Sequence, residues 1–234
     1  MPVRTPFFRA PTVARVLPFV LFILLTAAQG KLGPASAFWF YLAKTVVGFW
    51  LIWEIWPLVP EMRLAVSWEA VVVGVAVVVM WVGIDSFYPK TDQIMGWLGH
   101  PPSPKDMLED ANPNLVFGEH SALACFFLGV HLVGMTLVVP PLEEVFYRSF
   151  LYRYIARPDF LSVPMSRFMP LPFFVTILLF GLEHTQWLAG ILCGAAYQWL
   201  VLRKNRLGDA IVAHALTNFL LGAWVIWRGA WNFW

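Results

Sequence analysis

Long apolar runs separated by short polar punctuation set the pattern of the chain. Val13 to Gln29, Ser36 to Trp56, Ser67 to Phe87 and Glu119 to Val139 each approach the roughly 20 mainly apolar residues that a helix needs to cross a hydrocarbon layer. Gly33-Pro34, Pro57 with Pro60, and Pro89 mark their boundaries, because proline lacks a backbone donor and clashes with the preceding turn. Val71 to Val79 is strongly β-branched. In lipid its backbone must still satisfy itself, which selects helix. After Pro140-Pro141 an amphipathic helix is predicted over Leu142 to Ala156, then a polar linker with Arg157, Pro158, Pro164 and Arg167. Three further apolar helices are predicted over Leu171 to His184, Gln186 to Leu202 and Asp209 to Trp227. The pattern predicts one all-α domain over residues 1–234, a polytopic membrane helix bundle of about eight helices. Some later helices are short for a full span, so tilt or partial insertion is expected.

One sizeable stretch departs from this pattern. Residues 88–118 interleave Lys90, Asp92, Lys105, Asp106, Glu109 and Asp110 with Pro101, Pro102, Pro104 and Pro113. It reads as an extramembrane loop with a short helix around Lys105 to Ala111. Composition agrees with a lipid-covered chain: 59% of the 234 residues are hydrophobic and 13% are charged, against roughly 25% charged in soluble domains. A net charge of +2 gives no footprint for nucleic acid. Cys125 and Cys193 lie in apolar runs without a CxxC pair and read as small buried hydrophobes. Arg4, Arg9 and Arg15 precede the first apolar run, but Gln29-Gly30-Lys31 is a poor small-residue cleavage site, so a retained first span is expected. The N-terminal arginines favour a cytoplasmic start, whereas Arg203, Lys204 and Arg206 would then lie outside if all preceding helices crossed fully.

Ionisable side chains inside a membrane cost about 2.5 to 3.5 kcal/mol on insertion scales, so each is a candidate for function. Most of them here fall in three places. Glu143 and Glu144 open the helix after the two prolines, with Arg148 four residues beyond Glu144 on the same face. Glu143 points about 100° away, which leaves it without a local basic partner. His184 closes an apolar helix, and His214 with Asn218 share one face of another. Each place has an ordinary reading: a surface salt bridge, an interfacial histidine, hydrogen bonds between membrane helices. Together they supply an acid, two imidazoles and an amide from different helices. Gly190 and Gly194 form a small-residue face for close packing, Lys44 is placed to snorkel, and His131 is a further cavity candidate.

The ordered motifs E-E-x-x-x-R at Glu143, Glu144 and Arg148, F-x-x-x-H at Phe180 and His184, and H-x-x-x-N at His214 and Asn218 resemble the CAAX prenyl protease and bacteriocin-processing family of intramembrane proteases. The resemblance covers roughly the last hundred residues; the short, Trp-rich chain is also similar to the prenyl-protease-related branch beside exosortase sorting systems. It implies catalytic roles for Glu143, His184, His214 and Asn218. Glu143 with His184 would activate water, and His214 with Asn218 would form the oxyanion hole. Glu144 and Arg148 would support them. It further implies a peptide or protein substrate, isoprenylated in the prenyl-processing members, a bilayer as surroundings, and no cofactor.

Two other readings use the same residues. Glu143, His184 and His214 make a two-His, one-carboxylate set that suits zinc, although no H-E-x-x-H helix is present. A non-catalytic scaffold or bacteriocin-immunity protein would keep the fold and bind a membrane partner. A transporter finds no support, since no internal repeat or matched pair of broken helices is present.

Overall fold

The computed structural model describes residues 6–100 and 112–234. The described residues contain helices and no strands. The principal helices are α1 (Pro11–Ala27), α2 (Pro34–Ile55), α3 (Trp68–Gly83), α4 (Ala122–Ala156), α5 (Pro170–Leu182), α6 (Trp187–Lys204) and α7 (Gly208–Arg228). α2, α4 and α7 are long and apolar enough to cross a membrane, and α3 joins them if its bent continuation through Trp97 is counted. Pro11 and Pro34 stand at the first turns of α1 and α2, so both helices start at the proline, where a missing N–H costs nothing. Ser67 and Ser121 cap α3 and α4 by accepting from Ala70 N and Ala124 N. Within residues 88–118, Thr91–Trp97 and Pro113–Phe117 are short helices; the helix expected at 105–111 lies outside the described residues.

The expected break at Pro140-Pro141 does not occur. α4 runs through it as one helix of 35 residues, because π-helical turns at Gly134–Val138 and Val145–Leu151 flank the prolines. The Val139 N–H bonds to Gly134 O, five residues back. In that register Met135 O would next receive the N–H of residue 140, which proline does not have. The wider turn makes room for the ring and leaves one carbonyl open toward α7. The fourth apolar run and the motif helix are therefore one element, and the principal helices alternate in direction.

Small residues set the tight crossings. A Cβ at Gly74 of α3 would lie 2.8 Å from Ala213 O of α7, so these helices run with backbones nearly touching. A Cβ at Gly190 would lie 2.9 Å from Gly181 Cα, and one at Gly194 would lie 3.0 Å from the Phe180 ring. That contact seats α6 on α5. Lys44 turns inward instead of snorkelling: its ammonium bonds to Thr26 Oγ1 at 3.1 Å and Gln29 Oε1 at 2.9 Å, beside the Phe22 and Tyr41 rings. Cys193 is buried as expected, but Cys125 is exposed on the outside of α4, where an apolar run faces lipid as readily as core.

Two polar ends close the bundle. At one, Glu61 between α2 and α3 accepts from Arg15 of α1 at 2.7 Å, Ser149 of α4 at 2.6 Å and Arg153 of α4 at 2.8 Å. Leu207 N also bonds Glu61 O at 3.1 Å, which ties in the α6–α7 turn. At the other end Thr91 N bonds Thr185 O at 3.0 Å, and the Trp187 indole donates to Pro89 O at 2.9 Å. Burial alone would raise the Glu61 pKa, but the Arg15 charge and the Ser149 and Arg15 hydrogen bonds outweigh it and hold the carboxyl below its ordinary 4.5. A depressed carboxylate stabilises the fold above its unfolded pKa and loses that contribution as pH falls through the folded one. Thermal midpoints followed by circular dichroism are expected to fall as pH drops below about 4.5. Glu61→Gln should lower the midpoint at neutral pH and flatten the acid limb; an unchanged acid slope would remove Glu61 from this role.

Candidate active site

The three polar motifs meet in the interior between α4, α5, α6 and α7. Glu144 and Arg148 have no exposed side-chain surface, and Arg148 Nε lies 3.2 Å from Glu144 Oε2. The approach is off the hydrogen-bond direction, so the pair is held by charge. Arg148 also donates to Gly194 O at 3.3 Å and lies 4.2 Å from the centre of the Phe180 ring. The small residue that seats α6 thus exposes a carbonyl to the buried cation. Glu144 Oε1 is 3.1 Å from His214 Nδ1 of α7. A carboxylate accepts, so Nδ1 carries the proton and Nε2 faces away from Glu144.

Glu143 Oε2 lies 4.0 Å from His214 Nε2 and is a buried oxygen without a hydrogen-bond partner. Adjacent glutamates of α4 therefore face opposite sides of one imidazole: one fixes its orientation at Nδ1, the other stands at Nε2. His214 is 3% exposed, stacked on Tyr197 at 4.9 Å. Tyr197 in turn donates to Thr217 Oγ1 at 2.7 Å, and Thr217 donates to Gly74 O at 3.1 Å. Tyr197 and Thr217 were not singled out by sequence. The signal available was a polar group inside each apolar run, one of them next to Asn218.

His184 Nδ1 is 2.9 Å from Phe180 O. A carbonyl only accepts, so Nδ1 is the protonated nitrogen and Nε2 is left with its lone pair. Trp81 packs edge-on against this ring at 5.4 Å. Asn218 Nδ2 donates to Met135 O at 2.7 Å, the carbonyl that Pro140 leaves open. An amide carries two N–H groups and an oxygen, so Asn218 keeps one donor beyond this bond. A cavity of about 230 Å³ is lined by His184, His214 and Asn218 together with Trp81, Thr217, Gln186 and Trp234 among others. Glu143 reaches this group through His214; it makes no ion pair or hydrogen bond with His184. His131 stacks between Tyr41 at 4.1 Å and Trp234 at 4.3 Å, so it braces a lining residue without lining the cavity itself. Among the described residues no three His, Cys, Asp or Glu side chains form a group that could hold a metal ion.

The Asn218 bond to Met135 O makes a stability prediction. Asn218→Asp keeps the shape and loses the donor, and Asn218→Leu loses both polar groups; each leaves a carbonyl unsatisfied, at a cost of about 1–3 kcal/mol. Thermal midpoints of the purified protein should drop for both. Midpoints that stay level would mean that Met135 O finds another donor.

Residues 125–220 match the family model of the Rce1-like proteins, described as type II CAAX prenyl endopeptidase Rce1-like. No curated protein and no solved structure matches the chain. The match does not single out the exosortase-associated branch. It spans the length of chain that carries Glu143, Glu144, Arg148, His184, His214 and Asn218, and that segment of the chain is similar to the Rce1-like type II CAAX prenyl endopeptidases.

Proposed function

We propose that the protein is a multi-pass integral membrane endopeptidase that hydrolyses a peptide bond with a water activated by Glu143 and His184. The observation that carries this reading is the unpartnered Glu143 oxygen, 4.0 Å from an imidazole nitrogen whose opposite nitrogen is held by Glu144. Water attacks the scissile carbonyl carbon while its proton passes to Glu143, assisted by the His184 Nε2 lone pair. The carbonyl oxygen becomes an oxyanion, met by the free N–H of Asn218 and by His214. Glu144 holds the Nδ1–H of His214, so a proton taken up at Nε2 in the course of the reaction would be presented to the oxyanion. The carbon–nitrogen bond breaks as the proton returns to the leaving amine, and carboxylic acid and amine are the products. The match of residues 125–220 to the Rce1-like CAAX prenyl endopeptidases supports a substrate cut behind an isoprenylated cysteine.

Basic residues support an orientation. Arg15, Arg63, Arg153, Arg157, Arg203, Lys204 and Arg206 gather at the end built by the α2–α3 and α6–α7 connections, while Lys31, Lys90 and Arg228 are the described basic residues at the opposite end. The positive-inside rule makes the first end cytoplasmic. With α4 as one helix, Arg203, Lys204 and Arg206 fall at the same end as Arg15, which supports this orientation. The cavity borders Thr185, Gln186 and Trp234, so peptide enters from the other side.

The test is cleavage, by purified full chain in neutral detergent, of a quenched fluorogenic peptide with S-farnesylcysteine before its last three residues. The unprenylated peptide is the comparison. Glu143→Gln should lower kcat by about 10²–10⁴ with an unchanged thermal midpoint, and His214→Ala by about 10²–10³. Full activity of folded Glu143→Gln would overturn the assigned base. Activity retained after 1,10-phenanthroline treatment is expected; its loss, restored by zinc, would favour the metal reading over water activation by Glu143 alone.

A further inference from the structure

A second and larger cavity, about 800 Å³, lies at the basic end of the bundle. It is lined by Arg15, Arg63, Arg153 and Arg206, with Glu61 as its one acidic residue, and by apolar groups that include Leu58 and Leu161. Arg15 and Arg153 are 2% and 5% exposed, and both guanidiniums converge on one oxygen of Glu61, at 2.7 and 2.8 Å. They flank the same Phe160 ring at 5.5 and 5.4 Å. Two buried cations therefore share one carboxylate, which among the described residues leaves a full positive charge uncompensated. Buried charge without a counter-charge is costly. Arg206 is neutralised by Asp209 at 2.6 Å. Arg63 is exposed and its side chain has no partner among the described residues. The rim and floor together thus carry about two unbalanced positive charges, set beside apolar side chains at a helix-end level of the bundle.

We propose that this cavity is a binding site for a phosphate group, supplied by the headgroup of an anionic phospholipid. Guanidiniums in fixed positions match phosphate oxygens as forks, which an ammonium cannot do. The apolar lining suits the glycerol and first acyl carbons, and the cytoplasmic leaflet is where anionic lipids meet juxtamembrane basic residues. A bound headgroup would bridge α1, the α2–α3 connection and α4, and would stabilise the bundle by mass action. The site is separate from the catalytic cavity and needs no peptide cleavage to be tested.

The experiment is a titration of the full chain in neutral detergent, with the thermal midpoint read by tryptophan fluorescence. The probes are dihexanoyl phosphatidylglycerol, dihexanoyl phosphatidylcholine and inorganic phosphate. Phosphatidylglycerol should raise the midpoint saturably while phosphatidylcholine leaves it in place. A response to phosphatidylglycerol alone supports the headgroup source. A response to inorganic phosphate as well supports the phosphate site and assigns its source to the free anion. Arg63→Gln, which leaves the buried Glu61 cluster intact, should raise the half-saturating concentration about fivefold, the factor that corresponds to roughly 1 kcal/mol per basic residue near an anionic surface. Arg63→Glu should raise it further, and Arg228→Gln at the opposite end should change nothing. Equal stabilisation by both lipids, or an Arg63→Glu variant that titrates like the parent, would overturn the proposal.

Discussion

Glu144 and Arg148, both without exposed surface in an apolar bundle, are the constraint around which the interior is arranged. Neither charge is tolerable there alone, and removing one partner of such a pair costs several kcal/mol. Their pairing recruits other elements in turn. Gly194 brings a carbonyl of α6 to the guanidinium, Phe180 of α5 lays its ring on it, and His214 of α7 takes the remaining carboxylate oxygen. The helices that carry the polar motifs are thereby fixed to one another by the same few atoms that orient the imidazole.

The double proline acts through geometry. By forcing a wide turn in α4 it leaves Met135 O without a backbone donor, and Asn218 of α7 supplies one. A backbone irregularity thus selects the rotamer of a side chain placed at the cavity. The same irregularity keeps α4 continuous, which puts the whole chain in register with its charge distribution. Arg15, Arg63, Arg153 and Arg206 border one cavity at one end, and His184 and Asn218 border another nearer the opposite end. One chain presents a basic surface to one side and a polar interior to the other.

Much of this was legible in the residues themselves. Run length and the scarcity of charge determine an all-helical membrane protein, since backbone groups in hydrocarbon must bond within their own segment. The second helix start follows Gly33-Pro34, and the i, i+4 spacing of Glu144 and Arg148 identifies the pair and leaves Glu143 apart. These are short-range relations, carried by neighbours in the chain. The motif order also carries the resemblance, and the family model that matches residues 125–220 covers the same motifs.

Relations between distant segments were decided only by the tertiary structure. Sequence marks Pro140-Pro141 as a stop; whether a π turn absorbs the pair depends on Asn218 of α7, which meets Met135 O across 83 residues of chain. It shows Lys44 as a cation in a span, but its inward turn depends on Thr26 and Gln29 of α1. Glu143 is seen to lack a local partner, while its place opposite His214 Nε2 depends on how α7 crosses α4, which Gly74 on α3 helps set. The sharing of Glu61 by two arginines from different helices has no sequence signature at all. Spacing along one helix is fixed by its pitch, whereas the approach of two helices is fixed by side-chain volumes and buried charges that only meet once the bundle has closed.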